Sequence, residues 1–147
     1  MGRTMRRMLG VSAGIALVLS GASCGGGGGT VDVTLQEFSI STDPTSGDAG
    51  EFTFEAMNEG PDDTHEFVVI KTDLGLTDLP TDDTGAVDED GEGIEVIGEI
   101  EDVEVGQSKS VTLTLDAGNY VLICNIYDED EQEAHYQEGM RTSFTVS

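Results

Sequence analysis

Apolar and polar residues alternate over most of the chain beyond Thr30. "VDVTL" sets Val31, Val33 and Leu35 on one face, after which Phe38 and Ile40 take the opposite parity. That slip predicts a bulge or a change of sheet near Gln36 and Glu37. "EFTFEAMN", "GIEVIGEI", "SVTLTLDA", "GNYVLIC" and "RTSFTVS" keep the same period of two, the spacing of strands with one face buried. "HEFVVIK" is apolar on both parities and reads as an interior strand. Turn chemistry separates these runs at "DPTSGDAG", "NEGPDD", "EVGQS" and "DAGN". Seven to eight short strands, with no amphipathic helix to cover a parallel sheet, predict an all-β fold, an antiparallel β-sandwich.

Residues 73–93, "DLGLTDLPTDDTGAVDEDGEG", break the pattern. Irregular stretches of that length in compact domains are functional loops or mobile excursions. The acidic "DEDGEG" does not meet the spacing of a calcium-binding EF-hand loop, because its first ligand position falls on Ala86. That acidic run therefore reads as a solvated loop.

The first residues follow a different logic. "MGRTMRRMLGVSAGIALVLSGASC" has a basic start, an apolar run from Met8 to Leu19 and small residues up to Cys24. The run is too short to cross about 30 Å of hydrocarbon as a helix and reads as a signal peptide over 1–23. Because Cys24 directly follows the small residues, the segment resembles a prokaryotic lipoprotein signal. That resemblance implies lipidation of Cys24 and anchoring at the outer, extracytoplasmic face of the cell membrane. Gly21 stands three places before the cysteine, where such signals usually carry leucine; plain secretion is the alternative. Residues 24–30 then form a lipidated cysteine and a glycine-rich tether, and 31–147 the folded domain.

Charge narrows the function. All thirty acidic residues follow Ser23, with only Lys71, Lys109 and Arg141 to set against them. So negative a surface repels phosphate and argues against nucleic acid. Interleaving with apolar alternation argues against disorder. Life in high salt, where screening removes the self-repulsion, accounts for the excess most simply; docking to a basic partner is the other reading.

The chain has two cysteines and two histidines. If Cys24 is lipidated, Cys124 is an exported thiol with no disulfide partner. His135 and Met140 follow it closely in "CNIYDEDEQEAHYQEGM", and His65 opens "HEFVVIK". Two imidazoles, a thiolate and a thioether form a soft set that suits copper better than calcium or magnesium, which take oxygen. Zinc usually takes cysteine and histidine without methionine. A plane of two imidazoles and a thiolate with a long axial thioether is the blue-copper arrangement, and its use is electron transfer. Taken singly, His65 reads as an ordinary polar residue, Met140 as core, Cys124 as buried filler, and Tyr120 and Tyr136 as packing residues.

The segments "NEGPDDTHEFVVI" and "AGNYVLICNIYDEDEQEAHYQEGMRTSFTV" resemble the cupredoxin family of type 1 blue copper proteins, in the manner of plastocyanin, halocyanin and sulfocyanin. The resemblance covers essentially all of 31–147. It implies a Greek-key sandwich with one copper at one end, held by His65, Cys124, His135 and Met140. Family members place only a few residues between the cysteine and the second histidine, whereas "NIYDEDEQEA" intervenes here. That extension either loops out and leaves the donors in place or loosens the site.

The reading is a membrane-tethered, monomeric single-electron carrier that works with redox partner proteins, and not an enzyme. Multicopper catalysis needs further histidines, and a cysteine hydrolase would leave Met140 without a role. A copper chaperone or storage lipoprotein and a metal-free interaction module are the alternatives.

Overall fold

The computed structural model describes residues 26–147. The signal peptide and Cys24 lie outside the described residues. Among the described residues eleven strands follow one another: β1 (Gly27–Gln36), β2 (Ser39–Asp43), β3 (Ser46–Gly47), β4 (Gly50–Asn58), β5 (His65–Thr72), β6 (Ile94–Val103), β7 (Ser108–Leu115), β8 (Gly118–Ile123), β9 (Tyr127–Asp128), β10 (Glu133–Ala134) and β11 (Arg141–Val146), with a one-turn helix α1 (His135–Glu138) before the last. The eight longer strands are those the alternation predicts. β3, β9 and β10 are two-residue pairings that a periodicity cannot register.

Two sheets face each other in the orders β2-β1-β4-β7 and β3-β11-β8-β5-β6. The alternating apolar residues meet between them: Val31, Val33 and Leu35 from β1, Phe52 and Phe54 from β4, Phe67 from β5 and Phe144 from β11 are all buried in one cluster. Ring contacts of 5.4–5.7 Å tie Phe54 to Phe67 and to Phe144 across the gap. β5, apolar on both parities, lies inside its sheet between β8 and β6, as its composition demands. Its outward residues Val68 and Ile70 are covered by a second cluster with Leu79, Val87, Val121, Ile123 and Tyr136.

Three expectations are corrected. The sandwich is mixed rather than purely antiparallel, because β1 runs parallel to β4 and β3 parallel to β11. The parity slip after Leu35 is neither a bulge nor a change of sheet: Gln36 pairs with Ser39, so the chain reverses there into a β1–β2 hairpin. The glycine run is mostly not a tether, since Gly27–Thr30 pair with Gly50–Thr53 as the start of β1. Gly28 shows why glycine is needed. Its φ is 96°, and a β-carbon there would collide with the carbonyl of Glu51.

Candidate metal centre

The donors come from three places at one pole of the sandwich. His65 is the first residue of β5, paired to Val103 at the end of β6. The loop before it is organised by Asn58, which is fully buried at the end of β4. The Asn58 side-chain amide donates to the carbonyls of Asp63 (2.7 Å) and Val103 (2.8 Å), and its oxygen accepts from the Gly60 amide (2.7 Å). Cys124 directly follows β8. Its amide donates to the carbonyl of Met140 (3.1 Å), and the Met140 amide donates to the carbonyl of His135 (3.0 Å). Backbone bonds therefore clasp three donor residues together before any side chain is considered. Gly139, at φ 129°, makes the reversal between α1 and β11, and a β-carbon on it would press the carbonyl of Phe38 at 3.1 Å.

The acidic extension does not loosen this clasp. Tyr127 pairs with Ala134 and Asp128 with Glu133 as a short hairpin, and the His135 amide donates to the carbonyl of Ile126 at 2.9 Å. The Asp128 carboxylate accepts from the amides of Asp130 (2.7 Å) and Glu131 (3.0 Å) and closes the tip. The extra residues leave and return at one point, beside the backbone bond that fixes His135.

Nδ1 of His65 and Nδ1 of His135 are 3.3 Å apart, and Cys124 Sγ lies 3.9 Å from the first and 3.4 Å from the second. Three atoms at these separations share a centre about 2.1 Å from each, by the circumradius of their triangle, and metal bonds to imidazole nitrogen and thiolate sulfur run at about 2.0–2.3 Å. The three donors are thus spaced for one ion. Cys124, His65 and Met140 have no exposed surface and His135 has 2%. Met140 belongs to the same buried cluster as Cys124. Cys124 is a free cysteine, as the donor role requires.

Electrostatics prepare the nitrogens more than the sulfur. Burial lowers both imidazole pKa values: for His65 the neighbouring His135 adds to this while Glu37 and Asp63 oppose it, and for His135 Asp63 and Asp128 oppose it. Both shifts favour the neutral ring, the form that donates to a metal. Burial pushes the Cys124 thiol up to about 12, although the Glu66 amide donates to Sγ at 3.2 Å and pulls the other way. A thiol held protonated so firmly gives up its proton only to a cation of high thiolate affinity, so binding is coupled to proton release.

Several positioning residues were not apparent in the sequence. Phe38 sets its ring edge-to-face on His135, centroids 5.2 Å apart. Asn125, next to Cys124, exchanges two hydrogen bonds with the backbone of Val87: it accepts from the amide at 2.6 Å and donates to the carbonyl at 3.0 Å. Tyr136, next to His135, donates its hydroxyl to the carbonyl of Leu76 at 2.8 Å. Both partners lie in 73–93. That segment is therefore no free excursion: Leu79 and Val87 anchor it on the outer face of β5 and β8, and it holds the residues beside two of the donors, while the acidic run 88–93 stays largely exposed.

Together the two sheets and the donor-bearing pole define a cupredoxin fold. Among solved structures, the chain is similar to dithionite-reduced auracyanin from Roseiflexus castenholzii, with a TM-score of 0.55 at 20% identity over 81% of this chain and 96% of that one. It is also similar to auracyanin A, a "blue" copper protein from Chloroflexus aurantiacus, with a TM-score of 0.55 at 20% identity over 82% and 99%. The azurin Az-iso2 from Methylomonas sp. strain J gives a TM-score of 0.56 at 18% identity over 80% and 97%. No protein-family model matches the chain, and no curated protein matches it.

Proposed function

We propose that this protein is a type 1 copper protein that carries single electrons. The observation that carries the reading is the sealed triangle of two imidazole nitrogens and one thiol sulfur, spaced for one ion, on the fold of auracyanin and azurin. His65, Cys124 and His135 would hold the ion in their plane, with Met140 as the weak fourth donor. Copper bound there supplies reversible one-electron chemistry. The chain's part is to keep the donors still and dry. Strands β5, β8 and β11 fix the donor backbones, the clasp between Cys124, Met140 and His135 resists rearrangement, and the enclosed rings exclude water.

Enclosure also argues for a carrier over a chaperone, because handing the ion on requires an acceptor's ligands to reach it. The two histidines of the chain are both in this site, which leaves none for a second, catalytic copper. Anchoring through Cys24 at the outer face of the cell membrane completes the proposal. Partners with a basic face suit the acidic surface.

The test is spectroscopic. Copper added to the purified protein is expected to give a strong thiolate-to-Cu(II) band in the orange-red and a type 1 paramagnetic-resonance signal, both abolished by Cys124→Ser. A colourless protein whose thermal stability copper does not change overturns the reading.

A further inference from the structure

The two imidazoles present Nδ1 to the donor triangle and Nε2 to the opposite side, and each Nε2 faces a carboxylate. His65 Nε2 lies 3.7 Å from Glu37 Oε1, and His135 Nε2 lies 3.9 Å from Asp63 Oδ2. The first pair is the more tightly built. Its side chains are 0% and 9% exposed, and His65 Nε2 and Glu37 Oε2 are both buried without a hydrogen-bond partner. Two polar atoms that each cost free energy if left unmet thus belong to one buried contact, whose nearest approach, 3.7 Å to Oε1, acts through charge rather than as a hydrogen bond.

Glu37 is rooted where it stands. Its Oε1 accepts from the amide of Asp62 at 3.0 Å and from the amide of Asp63 in a short contact. These two bonds join the turn after β1 to the loop that delivers His65. Burial works against the charge of Glu37, but the amides of Asp63 and Asp62 and the nearby His65 outweigh it and hold the carboxyl below its ordinary pKa. A carboxylate held by two backbone amides, bonds that favour its charged form, sits behind the ring of a metal-facing histidine, the place where such histidines donate their second N–H.

We propose that Glu37 is a positioning residue for His65: it holds the imidazole proton on Nε2, keeps Nδ1 bare toward Cys124, and by its charge favours the oxidised over the reduced ion. The tautomer half stands on the geometry alone; the redox half rests on the copper reading. Asp63 acts in the same sense on His135 but more weakly, being 30% exposed and screened by solvent.

Glu37→Gln is the discriminating variant, because the amide oxygen can still accept from Asp62 and Asp63 while the charge is gone. Glu51→Gln, at an exposed position of β4 at the opposite pole, controls for net charge. In the copper-loaded protein the midpoint potential of Glu37→Gln is expected to rise well beyond that of Glu51→Gln, with the blue band kept. In the metal-free wild-type protein, nitrogen NMR is expected to find the His65 proton on Nε2, and in Glu37→Gln shared between the two nitrogens. Equal potentials for the two variants, or a wild-type His65 protonated on Nδ1, overturn the proposal. The wild-type NMR result decides the matter even if Glu37→Gln does not fold. If the wild-type protein takes up no copper, the copper reading fails, yet the NMR measurement still judges what Glu37 does.

Discussion

Residues 73–93 and residues 127–134 both look like acidic, irregular insertions, and the fold treats them in opposite ways. The first lies on the outer face of β5 and β8, buries Leu79 and Val87, and reaches Asn125 and Tyr136 beside two of the donors. The second closes on itself as β9 and β10 and keeps its tip in solvent. Acidity does not separate them. The presence of apolar side chains does: residues 128–133 are all acids except Gln132, whereas the longer segment carries Leu74, Leu76, Leu79 and Val87 among its acids. Leu79 and Val87 are buried and dock their segment, whereas the acidic stretch 128–133 has no apolar side chain to bury. The docked segment becomes part of the site's support, and the expelled one becomes ornament.

Variants sharpen this contrast in order of size. Leu79→Ala is expected to cost about 2–3 kcal/mol, the low end for a buried leucine because the segment can partly collapse onto the space. Urea unfolding of the metal-free protein measures it, and no loss would mean that the segment is not docked. Asn125→Ala leaves the Val87 amide and carbonyl without their partners and also frees Glu89, to which Asn125 donates at 2.9 Å. A loss of about 1–2 kcal/mol is expected, with faster hydrogen exchange at the Val87 amide. Tyr136→Phe removes the single hydrogen bond to Leu76 while keeping the buried ring, so about 1 kcal/mol is expected. A Tyr136→Phe loss larger than that of Leu79→Ala would reverse the order and place the docking energy in the polar contacts.

What the sequence revealed depended on whether a feature had a period or was scarce. The eight longer strands were legible because each spans several alternations. His65, Cys124 and His135 were legible because the chain has so few such residues, and the fold brings all three within contact range. Glu37 was hidden for the opposite reason: as one of thirty acids it carries no signal until the fold sets it behind His65. The strand in the glycine run was illegible because glycine has no side chain to alternate. Parallel pairing of β1 with β4 depends on register between distant segments, which local pattern does not encode. Asn125 had a usable clue, since a polar residue directly after an apolar strand and beside a candidate ligand must satisfy its amide somewhere.

Replacing residues 128–133 with a two-residue Asn-Gly turn carries the smallest expected effect and the strictest test of the contrast. The hydrogen bond from the His135 amide to the Ile126 carbonyl lies outside the excised residues, and so does the clasp between Cys124, Met140 and His135. Shortening the loop changes closure entropy by only a few tenths of a kcal/mol, and Asn-Gly supplies the backbone twist a tight hairpin needs. Metal-free stability is therefore expected within about 0.5 kcal/mol of wild type at moderate salt, with any difference toward greater stability, because Asp128, Glu129, Asp130, Glu131 and Glu133 repel one another. Among these acids Glu133 shows the strain: burial, and then the charges of Glu138, Glu131 and Asp128, raise its pKa. The gain should shrink as salt screens the repulsion, and the copper absorption spectrum should not move. A shifted spectrum would mean that the hairpin, too, holds a donor in place, and the distinction between a docked and an expelled segment would have to be drawn elsewhere.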